Sequence, residues 1–470
     1  MKKIFLYVIL IAAVSAGCRK IEVDGGTTVA PNPGGNGTNE NTILEGRISA
    51  NLTLKAAYTY KLRGLVYVTN GAILTIEPGT KIVGETGKNG GLIITRSCKI
   101  IADGTVDKPI IFTSEAATPQ RGDWAGVVIL GNAPTNASFN GVQGIGEIEG
   151  GINNSDGLGL YGTPASQGQN PADNSGILRY VRIEYAGYAF LPDKEINGLT
   201  FGGVGSSTIV DNVQVSYAND DSFEWFGGTV TCTHLISYRT LDDDFDTDNG
   251  FSGKVQFGIS LRDSSVADIS KSEAFESDND AAGSSLLPQT SVVFSNMTVI
   301  GPRATLANKG SDLFVWGAQI RRNSSLSLFN SIIMGYPNGL YIDATKGVPT
   351  DNNIPATLSV QNNIIAGSAK PVLYSIAGNT NAALTPNTTA TITAWFNTAS
   401  YGNTILINNS EVGLVAPFNY STPDFNPTAA SAAVTGATFT HTKLSTGFTS
   451  VAYKGACAVN DTWWKTWTKF

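Results

Sequence analysis

The chain has 470 residues and a formal charge of −7; only 15% of residues are charged and 41% are hydrophobic, with 52 Gly, 19 Pro and two His. So small a charged fraction excludes a helical bundle or coiled coil, whose wet faces need Glu, Lys and Arg, while the apolar content is enough to fill a core and excludes disorder. The negative balance, with no basic stripe, excludes nucleic acid as a partner.

The N-terminus reads as an export segment. Lys2 and Lys3 precede an apolar run, Ile4 to Val14, too short to span a bilayer. The run ends in Val14-Ser15-Ala16-Gly17-Cys18, small residues before a Cys as in a bacterial lipobox, so residues 1–17 are expected to be a lipoprotein signal peptide and Cys18 the lipidated first residue of the mature chain. An ordinary cleaved signal with an incidental Cys is the plainer alternative. Residues 18–42, rich in Gly, Pro, Asn and Thr, read as a flexible tether. Acyl chains on Cys18 would make an outer-membrane lipoprotein, facing the cell surface or the periplasm. Cys98, Cys232 and Cys457 are distant from one another and odd in number, so buried free thiols are expected rather than disulfides or a zinc site.

Residues 43–410 carry imperfect repeats. Ala72–Thr80 is echoed by Lys99–Thr105. Asp220-Asp221-Ser222-Phe223-Glu224 returns 22 residues later as Asp242-Asp243-Asp244-Phe245-Asp246, and again around Ala274-Phe275-Glu276-Ser277-Asp278. A third set begins at Asn296, Asn330 and Asn362. The segments between alternate apolar with polar residues and none has a long helical period. Abundant Gly, Asn, Thr and Ser among Val and Ile agree, predicting an all-β right-handed parallel β-helix whose coils stack about 4.8 Å apart. A β-propeller needs blades of about 40 residues and a blade signature that is missing. In the expected register Phe223, Phe245 and Phe275 form an interior aromatic stack. Residues 132–176 read as a loop insertion, 376–410 as a looser coil or loop, and 411–470, with its Phe and Trp residues, as C-terminal coils and an aromatic cap sealing the solenoid; a carbohydrate-stacking platform is the alternative for this Trp cluster.

Charge placement is the most informative feature. Residues 220–280 contain 14 Asp or Glu against four Lys or Arg. The register puts Glu224, Asp246 and Glu276 in one column and Asp248 and Asp278 in a second, and pairs Asp220 with Asp242 and Asp221 with Asp243 at the preceding bend. Carboxylates about 5 Å apart repel unless protonated, paired with Arg or Lys, or bridged by a cation. Oxygen-rich clusters without His favour a hard cation, so Ca²⁺ is expected on Glu224, Asp242, Asp243, Asp244, Asp246, Asp248, Glu276 and Asp278. Asp242 to Gly250 lacks the twelfth-position Glu and the flanking helices of an EF-hand. The alternative is that these acids face solvent or bond turn amides. Asp220, Asp221, Trp225, Trp316 and Arg321 are the expected ligand-binding residues, and no organic cofactor is implied. Two acidic columns could also supply a glycosidase's carboxyl pair. The Asp placement is similar to that of β-helix pectinases, but their Gly-His-Gly and Arg-Ile-Lys signatures are missing. A Ca²⁺-dependent lyase would need a base, for which Lys254, Arg262, Lys309, Arg321 and Arg322 are available. His234 and His441 read as structural.

Longer motifs carry a family resemblance. Leu74–Thr80, Arg121-Gly122-Asp123-Trp124, Tyr180–Gly187, Phe223–Gly228, Asp242–Gly250 and Val451–Ala456 with Trp464 and Trp467 resemble exported β-helix lipoproteins of Bacteroidetes-type bacteria. The resemblance implies a parallel β-helix and an envelope location, and carries no activity with it. By analogy, such a lipoprotein would serve an outer-membrane nutrient importer. Three functions follow: a Ca²⁺-stabilised surface protein binding glycans or a partner protein, a polysaccharide lyase or carboxylate-based glycoside hydrolase, or a structural envelope component.

Overall fold

The computed structural model describes residues 42–470 except 192–193, 309 and 383–385. Cys18 and nearly all of the tether lie outside the described residues, as does Lys309. Among the described residues, twenty-eight strands, paired in parallel, wind into a right-handed β-helix. One coil shows the plan. Strand Thr231–Tyr238 bends at His234, strand Phe245–Asp248 follows after a turn, and Lys254–Gln256 opens the next coil beside Thr231–Thr233.

The sharp corner inside the long strand needs a left-handed residue. Tyr180, Asn212, His234, Phe257, Asn296, Asn330 and Asn362 occupy it on successive coils, with φ between 48° and 62°. Asn visits this region at lower cost than most residues, which is why the third repeat set begins with Asn. The neighbouring strands Thr298–Ile300, Ile332–Met334 and Ile364–Ala366 are in register, as that repeat required.

Inward side chains follow the two-residue period of a strand. Phe223, Phe245 and Phe275 stack on one another with ring centroids 5.7 and 5.6 Å apart, the expected aromatic ladder. Cys98, Cys232 and Cys457 are buried and free.

Three segments depart from the coil. The 132–176 insertion is more than a loop: it folds into two small hairpins, Ser138–Phe139 with Val142–Gln143 and Ile145–Glu147 with Leu160–Gly162. Its Tyr161 and Ile148 pack with Phe226 on the outside of the solenoid. The 376–410 stretch contains a helix, Thr389–Phe396, where a looser coil was expected. Thr388 starts it with a capping box, and Ile392 and Phe396 bury themselves in the main core beside the last full coil. Eight residues are too few for a helical period to stand out, so the sequence hides it. This helix seals the C-terminal end.

The aromatic segment 411–470 seals apolar surface too, but a flank rather than an end. It runs back along the solenoid and buries Phe425, Trp464 and Trp467 against Ile236, Ile259, Ile300, Ile332 and Ile364. Side-chain amides tie it down in both directions. The Asn330 amide donates to the Thr438 carbonyl and accepts from the Thr438 N–H, both at 3.0 Å. Gln256 does the same with Thr449 at 2.8 and 2.7 Å, and Gln214 with Lys469 at 2.8 and 2.9 Å. Trp464 and Trp467 are buried packing residues and offer no carbohydrate platform, while Trp463 is half-buried beside them.

Candidate functional site

The third strand of each coil builds one sheet: Leu199–Gly202, Phe223–Phe226, Phe245–Asp248, Phe275–Ser277, Trp316–Ile320 and Asn338–Asp343. Because Phe223, Phe245 and Phe275 point inward, the next residue on each strand points out. Thr200, Glu224, Asp246, Glu276, Gln319 and Tyr341 are direct register partners in that outward column. Two residues on, Phe226 pairs with Asp248, and Asp278 follows on the next coil, its N–H donating to the Thr247 carbonyl at 2.9 Å. The turns that lead into these strands bring Asp220, Asp221, Asp242 and Asp243 to the same place.

The result is a cavity of about 250 Å³ lined by ten carboxyl groups and three cations. The acids are the two columns, the four turn aspartates and Glu149; the cations are Lys271, Arg321 and Arg322. Three sets of ligand oxygens lie within 4.8 Å of one another: Asp220, Asp221 and Asp242; Asp221, Glu224 and Asp246; and Asp243, Glu273 and Glu276.

Local hydrogen bonds hold these acids in place. The Asp243 N–H donates to Asp221 Oδ1 at 2.8 Å, and the Ser270 hydroxyl donates to Asp242 Oδ2 at 2.8 Å. The Asn197 amide donates to Glu224. Arg321 pairs with Glu276 and, at 2.8 Å, with Asp278, which also takes Arg322 at 2.5 Å. These bonds leave oxygens over: Asp242 Oδ1, Asp246 Oδ1 and Glu273 Oε1 are shielded from solvent and have no hydrogen-bond partner.

Burial and mutual repulsion push these carboxyls towards their neutral form. Asp221, Glu224, Asp243 and Asp246 are held well above the usual carboxylate range, by burial first and by neighbouring acids second. Burial moves Asp242 up to about 7 and Asp248, Glu273 and Glu276 up to about 8. The donors are hard oxygens and the charge imbalance is large, so the residues fit a hard divalent cation better than zinc or copper.

Most of the expected site residues therefore meet in one cavity: Asp220, Asp221, Glu224, Asp242, Asp243, Asp246, Asp248, Glu276, Asp278 and Arg321. Two do not. Asp244 turns into the core, where it pairs with the fully buried Arg262 at 3.1 Å and accepts from Ser237 at 2.5 Å and Tyr336 at 3.3 Å. It directly precedes the inward Phe245 at a bend, where strand alternation does not hold. Trp225 shares the inward face with Phe223 and is fully buried, stacked between Phe201 at 5.7 Å and Phe251 at 5.4 Å. Trp316 is half-buried, outside the cavity, and stacks on Tyr341 at 4.8 Å.

Glu149, Lys271 and Arg322 also line the cavity, and Glu273 meets Asp243 and Glu276 beside it; Arg322 was expected only as an available base, and the other three were not singled out. Glu149 comes from the hairpin insertion and no spacing rule links it to the ladder. Lys271 and Glu273 sit in the long turn between Leu261 and Phe275; the one local signal was that Glu273 precedes the Phe-Glu repeat by two residues. Both histidines lie elsewhere. His234 bonds Asp211 at 2.8 Å under Trp463, and His441 packs on Phe329. Of the remaining basic residues, Lys254 donates to the Thr446 carbonyl on the C-terminal segment.

No curated protein matches the chain. A family model described as a pectate-lyase like β-helix domain matches residues 46–405, and the chain belongs to this family.

Proposed function

We propose that this chain is a Ca²⁺-loaded β-helix protein of the bacterial envelope that binds glycans along the sheet carrying the acidic cavity. The observation that carries this reading is the imbalance of ten carboxyls against three cations around oxygens without partners. Asp221, Glu224 and Asp246 would hold the ion, with Asp220 and Asp242 beside it. A bound Ca²⁺ supplies charge to the cluster and vacant coordination for sugar hydroxyls or carboxylates.

The same outward face continues past the cavity. Gln319 is the next residue of the column and donates to Asp343 at 2.8 Å; beyond it lies the Trp316–Tyr341 stack. The half-buried Trp316 ring, backed by the buried Tyr341 a coil or two from a cation, is a suitable platform for a linear glycan. Membership of a pectate-lyase like family supports a glycan-related role. Anchoring through Cys18, an outer-membrane location and service to a nutrient importer belong to this proposal and rest on the lipobox-like motif and the family resemblance.

A hydrolase is the second reading, and one observation favours it: carboxyls that keep a proton near neutral pH can act as general acids. Arg321 is a poor base for lyase chemistry. Burial would lower the Arg321 pKa, but Glu276 and Asp278 outweigh it and drive it further up, so this arginine does not give up its proton to become a base.

Two measurements test the proposal. Calorimetric melting with Ca²⁺ and then with chelator should move the midpoint up and back, and an unchanged midpoint removes the ion. A screen of acidic and neutral glycans should show Ca²⁺-dependent binding without new reducing ends or unsaturated products, with Trp316→Ala weakening binding about tenfold or more, in line with a lost stacking contact of about 1–3 kcal/mol. Released ends would establish the hydrolase instead.

A further inference from the structure

We propose that the acidic cavity has a second, inner cation site, formed by Asp243, Glu273 and Glu276 and separate from the outer set of Asp221, Glu224 and Asp246. The proposal rests on the reading of the cavity as a Ca²⁺ site and adds a second ion to it. The two sets share no residue, and within each the ligand oxygens lie within 4.8 Å of one another, so both can be filled at once.

Glu273 makes the inner set more than a cluster of acids. It is 1% exposed, and its Oε1 has no hydrogen-bond partner. Its backbone is fixed on both sides: the Glu273 N–H donates to Asp243 Oδ1 at 2.5 Å, and the Asp244 N–H donates to the Glu273 carbonyl at 3.2 Å. Asp243 is itself 4% exposed. An ionised carboxylate so far from water needs a counter-charge. Among the described residues no ion pair reaches Asp243 or Glu273: Arg321 is engaged by Glu276 and Asp278, and Arg262 by Asp244 and the carbonyls of Leu241 and Asp242.

Asp243, Glu273 and Glu276 each offer at least one oxygen, while Arg321 engages Glu276 Oε1 and the Glu273 N–H engages Asp243 Oδ1, so waters complete the six to eight oxygens that Ca²⁺ takes. Asp221, Glu224 and Asp246 all line the open cavity whereas Glu273 does not, so the outer ion keeps more of them. The sets are mechanically joined, because the Asp243 N–H holds Asp221 Oδ1 at 2.8 Å and Asp246 is the register partner of Glu276. The competing arrangement is a proton shared between Asp243 and Glu273, with no ion.

The test counts ions on the full mature chain. Equilibrium dialysis against CaCl₂ with metal analysis should give two ions per wild-type chain and one each for Glu273→Gln and Glu224→Gln. Two ions retained by Glu273→Gln overturn the inner site alone, as does a single wild-type ion that Glu224→Gln removes and Glu273→Gln keeps. No ion in the wild type overturns the cavity reading itself. Luminescence lifetimes of Tb³⁺ on the unmodified protein, in H₂O and D₂O, need no variant to fold. Two lifetimes, one from an ion with fewer coordinated waters, support the inner site; a single well-hydrated ion overturns it.

Discussion

At the scale of single residues, one step along a strand separates packing from chemistry. Phe223, Glu224, Trp225 and Phe226 alternate inward and outward, so a glutamate in the ladder has core aromatics on both sides. Asp244 and Asp246 differ by two positions yet occupy different environments, a dry ion pair with Arg262 and an acidic cavity. The Arg262–Asp244 pair lies entirely within the core, where removing one partner strands a charge. Arg262→Met is therefore expected to destabilise the fold by about 3–5 kcal/mol in urea unfolding, with much of the loss recovered in the double variant that also carries Asp244→Asn. Glu224→Gln should behave oppositely in metal-free protein, raising the melting temperature by relieving repulsion while weakening the response to Ca²⁺.

At the scale of elements, the C-terminal segment and the helix Thr389–Phe396 divide the work of covering the solenoid. The helix takes the end, and the segment takes the flank of the sheet that holds Ile236, Ile259 and Ile300. The amide pairs of Gln214, Gln256 and Asn330 act like a discontinuous extra strand, each satisfying one N–H and one carbonyl of the segment. Asn330→Ala leaves both Thr438 groups without that partner and removes the residue best suited to a left-handed corner. The expected cost is about 1–3 kcal/mol, read as faster amide exchange over residues 436–456 with little change in the cavity's ion content.

At the scale of the whole molecule, the acidic cavity couples stability to pH. Its carboxyls hold protons more tightly in the native state than in the unfolded chain, where Asp and Glu titrate near 4. Stability from this source is full below about pH 4 and declines as pH rises towards 8, where Asp248, Glu273 and Glu276 ionise. Asp263 has the opposite sign. Its burial is outweighed by bonds from Ser265 and Arg239, so its contribution is present above about pH 4 and lost below it. Metal-free protein should therefore melt highest in mildly acid solution and lower at pH 8, and saturating Ca²⁺ should flatten that slope; a melting temperature that climbs steadily from pH 5 to 8 without metal would contradict the assignment.

Periodicity made most of the architecture legible. The 22-residue echo of Asp-Asp-Ser-Phe-Glu placed Phe223 over Phe245 and Glu224 beside Asp246, because stacked coils put equivalent residues about 4.8 Å apart whatever the rest of the chain does. Local alternation puts Glu224 and Asp246 on the outward face, though Trp225 was expected at a ligand and lies inward, and Asn marked four of the seven corners, the others being Tyr180, His234 and Phe257. What the amino-acid order could not convey were contacts made across unequal turns and insertions. Glu149 reaches the cavity from a hairpin some 75 residues before Glu224, Glu273 through an enlarged turn, and Asp244 leaves it because a bend breaks the alternation. Nor could order alone say whether the Trp residues of 411–470 cover an end, a flank or a sugar: all three demand the same apolar side chains, and only the packed structure shows which surface was left to bury.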